Sequence, residues 1–187
     1  MKENPSVLDV FLFGSAARGK REPRDVDVLV LFKGKADSRL AHSFERELRA
    51  AGVSANVEER AWKELFEPSF RAREAVLSEA VSVVSGKRLC EAFGFTSFAL
   101  FKYAPSGMGA SERVKFQYAL FGRRVGKRHA PGMLEAVGGK KLTAAALVVP
   151  VQKADEFTAF LTGWRVPFKR AFALFPTSVI EFGDFIG

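Results

Sequence analysis

The stretch from Phe11 to Phe32, FLFGSAARGKREPRDVDVLVLF, constrains this chain more than any other, because it closes two apolar runs of strand length around one short polar connection. Val7 to Phe13 and Val26 to Phe32 are rich in β-branched and aromatic residues and are bounded by Gly, Pro and charge, so both read as buried, neighbouring strands. Asp25 and Asp27 stand at the entrance of the second. Residues two apart along a strand point to the same side, which turns both carboxylates toward one spot. Two anions held that close repel unless a cation joins them, and paired carboxylates beside phosphates are a usual way of holding Mg²⁺. Gly14-Ser15 supplies the complementary half. It ends the first strand and opens a short helix whose unpaired amides and dipole favour an anion, and Ser15 adds a hydroxyl donor. Gly14 lets the backbone approach a phosphate closely, and Gly19 lets the loop reverse so that Asp25 returns beside Ser15.

Taken whole, Gly14-Ser15-x3-Gly19-x5-Asp25-x-Asp27 resembles the signature of nucleotidyltransferases with a DNA polymerase beta-type palm, particularly the minimal prokaryotic ones, over residues 7 to 88. The resemblance implies an α/β (α+β) palm with a mixed sheet and helices on one face. It also implies a nucleoside triphosphate as substrate and two Mg²⁺ ions. Gly14, Ser15, Arg18 and Gly19 would hold the nucleotide, Asp25 and Asp27 the metal, and Arg18, Lys20 or Arg21 would neutralise the departing pyrophosphate. The family's third carboxylate belongs on the next strand. Val53 to Glu58 reads as that strand, with Ser54, Asn56 and Glu58 on one face, so Glu58 completes the catalytic and metal-binding set Asp25, Asp27, Glu58. Glu59 has the opposite parity, and Asn56 is the alternative occupant, one that would weaken metal binding or cost the activity; equally, Glu58 and Glu59 can be read as only starting the helix that contains Trp62 and Leu65. The chain also has Arg24 where the family often has Ser or Thr.

Between and after these strands the pattern continues as α/β. A helix is predicted from Ser38, as its cap, to Ala51, with Leu40, Phe44 and Leu48 on one face and Gly52 as its stop. A helix with Trp62 and Leu65, another over Ser69 to Leu77, a strand Val81 to Val84 and the turn Ser85 to Arg88 complete a first domain, residues 1–88. A second, small α/β domain, residues 89–187, opens on the apolar run Phe93 to Tyr103. Ser111 caps its first helix, which carries Val114, Phe116, Tyr118 and Phe121. Ala144 to Val151 and Val166 to Leu174 read as strands around a helix with Phe157, Phe160, Leu161 and Trp164 at helical spacing. These phenylalanines read as core, not as base-stacking platforms.

Charge points to a partner. The net charge is +8, and residues 1–88 carry 16 basic and 14 acidic side chains whereas residues 89–187 carry 13 and 7. Most of the excess lies in the second half, where Arg123, Arg124, Lys127 and Arg128, with His129, Gly122 and Gly126, form a segment predicted to be a flexible loop able to contact several phosphates of RNA or another polyanion. A solvated surface loop is the alternative reading. The single cysteine, Cys90, excludes an internal disulfide and reads as a buried apolar residue. No run approaches a membrane span and the polar start MKENPS lacks a signal-peptide core, which places the chain in the cytoplasm. Three readings stand: Mg²⁺-dependent nucleotidyl transfer to an RNA hydroxyl, the same chemistry on a protein or small molecule, and an inactive palm that binds nucleic acid or a partner.

Overall fold

The computed structural model describes residues 4–126 and 128–179, and the chain forms two compact units, Met1–Phe95 and Thr96–Gly187. The first unit extends past residue 88 to Phe95.

In the first unit the order is β1 (Val7–Phe13), α1 (Gly14–Ala17), β2 (Val26–Phe32), α2 (Ser38–Ala50), β3 (Ala55–Ala61), a 3₁₀ turn (Trp62–Phe66), α3 (Arg73–Glu79), β4 (Val81–Ser82) and α4 (Leu89–Ala92). The sheet runs β3-β2-β1-β4, with β1 antiparallel to β2 and β4 and β2 parallel to β3, so it is mixed. Phe11, Phe13, Leu29 and Leu31 point to one face and form a core with Leu65, Phe70, Val76, Ala80 and Leu89. The alternate residues Val10, Val28, Val30 and Phe32 are also buried, on the side where Phe44 of α2 lines a cavity with Val10. The mixed sheet is the one the resemblance implies, and residues on both of its faces are buried. The unbroken apolar run VLVLF of β2 suits a strand buried on both sides, where alternation is not required.

Two boundaries differ from the sequence reading. Asp37, not Ser38, caps α2: its Oδ1 accepts from the amides of Arg39 at 3.0 Å and Leu40 at 3.2 Å, while the Ser38 hydroxyl donates to Glu59 Oε1 at 2.6 Å. A carboxylate outcompetes a hydroxyl for amides at a helix start because the helix dipole adds to its hydrogen bonds. β3 also runs on to Ala61, past Glu58. Cys90 is buried, and that burial pushes its thiol pKa up, so it stays a neutral, unreactive group.

The second unit contains β5 (Phe95–Tyr103), α5 (Ala110–Phe121), β6 (Arg123–Val125), β7 (Arg128–Ala130), α6 (Met133–Ala136), β8 (Lys140–Thr143), β9 (Ala146–Pro150), a 3₁₀ turn (Val151–Lys153), α7 (Ala154–Gly163) and β10 (Phe168–Pro176). Its sheet is ordered β10-β5-β9-β8, and β6 and β7 form a separate two-stranded ribbon. Ala99, Phe101, Leu147 and Val149 of the sheet pack with Phe116, Leu120, Leu134, Phe157 and Leu161 of the helices. The expected phenylalanine core is therefore real: the Phe101 and Phe157 rings meet edge-on with centroids 4.9 Å apart. α5 departs from expectation. Gly109, not Ser111, precedes it as the cap, and Val114 and Tyr118 are exposed while Phe116 and Leu120 are buried. Each pair is four residues apart, and the two pairs lie about 200° from each other around the helix, so one pair faces inward and the other outward. Among the described residues no helix is long and apolar enough to cross a membrane.

Phe157 is fully buried in this cluster. Phe157→Ala is therefore expected to cost about 3–5 kcal/mol of unfolding free energy. Chemical denaturation of parent and variant measures it; a change below about 1 kcal/mol would contradict this core.

Candidate functional site

The site begins with backbone geometry. β1 ends at Phe13 in extended conformation and the chain enters α1 through Gly14 at φ +71°, in the left-handed region that favours glycine. The β1–β2 register pairs Phe13 with Asp27, which brings the Asp27 carboxylate onto the bare backbone of that turn. A Cβ built on Gly14 would lie 2.2 Å from Asp27 Oδ2. Glycine is thus required here both for conformation and for space. The turn then closes on itself: the amides of Arg18, Gly19 and Lys20 donate to the carbonyls of Gly14, Ala16 and Ser15 at 3.2, 3.2 and 3.1 Å, with Gly19 at φ +84°. Ser15 and Arg18 are half-buried on this turn; Gly19, Lys20, Arg21 and Arg24 are exposed around it.

Asp25 is exposed and lies one residue ahead of β2, not inside it. The Val26 amide donates to the Ser54 carbonyl at 2.9 Å, so Asp25 and Asp27 flank a residue tied to the chain leading into β3. Across that parallel pair, Asn56 is the partner of Asp27 and Glu58 that of Leu29. Glu58 shares the face but sits one pair further along, with Oε2 3.5 Å from Arg60 Nη2, and Arg60 lies over the Phe70 ring at 5.0 Å. Glu59 points to the opposite side, where it holds Ser38. Among the described residues no three of His, Cys, Asp and Glu are grouped closely enough to hold a metal ion. Asp25, Asp27 and Glu58 are therefore not gathered into one cluster.

Sequence reasoning missed Glu79. It is 2% exposed at the end of α3, and its Oε2 accepts from the Gly14 amide at 3.1 Å and from Arg18 Nη1 at 2.6 Å. The signal was present: an acid inside the apolar run AVLSEAVSVV must find a partner when buried. Arg18, expected to meet phosphate, pairs with this acid through Nη1.

In the second unit, the basic segment is not a flexible loop but a hairpin, β6 paired antiparallel with β7. Its base is fixed by a close approach of two backbones: a Cβ on Gly132 would lie 2.2 Å from the Gly122 amide nitrogen. Arg123, Arg124 and Arg128 are exposed on it, with the Arg123 guanidinium 5.9 Å from the centre of the Tyr118 ring. Lys127 lies outside the described residues. His129 Nε2 and Glu135 Oε2 are 2.7 Å apart, so His129 has a local partner.

Residues 1–90 match the family model of the nucleotidyltransferase domain. The matched segment carries the Gly14 turn, both aspartates and Glu79, and points to nucleotidyl transfer. No curated protein and no solved structure matches the chain.

The seat of Asp27 is testable through two glycines. Gly52 has a similar φ of +80° but open space where a methyl group would stand, whereas Gly14 has both the conformation and the close carboxylate. Gly52→Ala is expected to cost about 1–2 kcal/mol from backbone strain alone. Gly14→Ala should cost more by roughly 1–3 kcal/mol, because Asp27 must move. Equal losses in urea unfolding would mean that Asp27 does not rest on Gly14.

Proposed function

We propose that this protein transfers a nucleoside monophosphate from a nucleoside triphosphate to an acceptor hydroxyl, with the triphosphate held at the Gly14–Ala17 turn. One observation carries the reading: the Asp27 carboxylate rests on the bare Gly14 backbone, at the start of the turn that bears Ser15, within the segment that matches a nucleotidyltransferase domain. Ser15 would donate its hydroxyl to a phosphate oxygen, and the exposed Lys20 and Arg21 can offset the charge of the pyrophosphate. The acceptor oxygen forms its bond to the α-phosphorus as the bond to pyrophosphate breaks, and the acceptor's proton is lost to solvent or a base.

Asp25 and Asp27 fit one Mg²⁺, since that ion takes one or two protein carboxylates and completes its shell with substrate phosphates and water. The Asp27 carboxylate occupies the space that a Cβ on Gly14 would fill, which sets it at the start of the Ser15 turn where such an ion would meet the phosphates. When bound, the ion would neutralise phosphate charge and lower the pKa of the acceptor hydroxyl. A second ion finds less support, because neutral Asn56 is paired with Asp27 and Glu58 faces Arg60. The same observation favours a second reading, a palm that binds nucleotide or a partner without turnover.

The exposed arginines of the β6–β7 hairpin make RNA the preferred acceptor. Incubation of the chain with each labelled triphosphate, Mg²⁺, RNA and protein should label RNA, and Asp27→Asn should remove the labelling while the unfolding midpoint is kept. Full labelling by Asp27→Asn overturns the assignment; binding with no labelled polymer supports the second reading, and labelled protein moves the acceptor. Replacing Arg123, Arg124 and Arg128 by Ser should weaken RNA binding and reduce its log–log salt slope by up to about 0.7–0.9 for each phosphate no longer neutralised. Titrations at several salt concentrations measure this, and an unchanged slope would remove the hairpin from the interface.

A further inference from the structure

We infer that Glu79 is the positioning residue of the triphosphate turn and that Arg18 acts chiefly by neutralising it, an inference that rests on the nucleotidyltransferase reading. α1 is a single turn of four residues, and a helix that short has no stability of its own. Its place must be set by neighbours, Glu79 of α3 at its start and Arg88, just before α4, at its end. At the start, the Glu79 carboxylate takes the Gly14 amide. At the end, Arg88 reaches across, Nη1 donating to the Glu79 carbonyl at 2.8 Å and Nη2 to the Ala17 carbonyl at 3.4 Å. Glu79 is thus gripped by side chain and main chain, and Gly14 and Ala17 with it.

The Gly14 amide is consequently engaged by the protein and does not face a phosphate. A more general constraint follows from charge. A buried carboxylate bonded to this turn would repel a triphosphate placed on it, and the repulsion is strong because little water intervenes. The Arg18 guanidinium, 2.6 Å from the same oxygen, cancels that charge. Removing one member of a buried pair leaves the other uncompensated, so the damage exceeds the worth of the one interaction. If Arg18 works in this way, its removal weakens triphosphate binding through Glu79, and neutralising Glu79 as well should restore part of the affinity. An arginine that bound phosphate directly would cost the same affinity whether or not Glu79 is charged, so the loss from Arg18→Gln is compared in the parent and in Glu79→Gln.

The test uses the full chain as Glu79→Ala, Glu79→Gln, Arg18→Gln and the double Arg18→Gln/Glu79→Gln variant. Amide hydrogen exchange without ligand reads Gly14, with amides of β2 as internal controls. Exchange at Gly14 should accelerate roughly tenfold or more in Glu79→Ala and less in Glu79→Gln, which keeps an acceptor. Titration with ATP, GTP, CTP and UTP in Mg²⁺ should show Arg18→Gln weakened roughly tenfold or more for the best-bound triphosphate, with the double variant tighter than Arg18→Gln. Should Glu79→Ala not fold, the near-isosteric Glu79→Gln and the double variant carry the comparison. Unchanged Gly14 exchange in the Glu79 variants overturns the positioning role. A double variant no tighter than Arg18→Gln overturns the neutralising role of Arg18. A parent that binds none of the four triphosphates overturns the nucleotide reading and the Arg18 role together, while the exchange measurement still decides whether Glu79 holds the turn.

Discussion

The antiparallel pairing of β1 with β2 is the constraint on which the first unit depends. Its register sets Phe11 opposite Leu29 and Phe13 opposite Asp27, so a single alternation serves core and site at once. A slip of one residue would send Leu29 and Leu31 to the other face and carry Asp27 away from Gly14. Burial of those leucines, which are nearly inaccessible to solvent, therefore also fixes where the carboxylate lies. The site needs no loop ordering of its own to bring Asp27 to the turn, because the hydrophobic core has already done so.

Glycine and charge divide the remaining work. Gly14 supplies a conformation that other residues adopt only with strain and leaves the volume that Asp27 Oδ2 occupies. Glu79 then anchors the turn from beneath, a costly arrangement by itself, since a buried carboxylate loses its hydration. The Gly14 amide and the Arg18 guanidinium donate to it and offset that loss. The turn is thus held by charge-assisted hydrogen bonds, which are shorter and stronger than neutral ones, while the carboxylate above it, on Asp27, remains half-exposed.

Much of the first unit was legible because its signals are local. β1 and β2 are read to the residue from apolar runs bounded by Gly, Pro and charge, and the short helix after Gly14 from the same punctuation. Partners distant in sequence were not legible. Glu79 lies 65 residues from Gly14, and only the packing of α3 on α1 and β1 brings them together. Capping by Asp37 was missed because two neighbouring residues, Asp37 and Ser38, can each cap, and the choice depends on Glu59 competing for the Ser38 hydroxyl. The basic segment was read as a loop from its glycines, yet Gly122 and Gly132 permit two backbones to touch and so stiffen the hairpin instead of loosening it. In α5 the aromatic residues Phe116 and Tyr118 stand two apart, on opposite sides of the helix, and packing in the core, not the helix pattern, decides that Phe116 is the buried one.

The acids on the site face also bear on how many ions it can take. Each carboxylate added beside Asp27 would raise the repulsion that a cation must offset, and each divalent ion requires enough anionic oxygen to balance its own desolvation. Here the residue paired with Asp27 is the neutral Asn56, and the next acid along β3 is directed to Arg60, which is itself placed over Phe70. The local balance is therefore two aspartates surrounded by the exposed cations of the loop, Lys20, Arg21 and Arg24. On the proposed reading, such a balance would suit a single ion delivered together with a triphosphate better than a pair of ions resident before substrate arrives, and the charge on β3 would then link the register of the sheet to the metal demand of the chemistry.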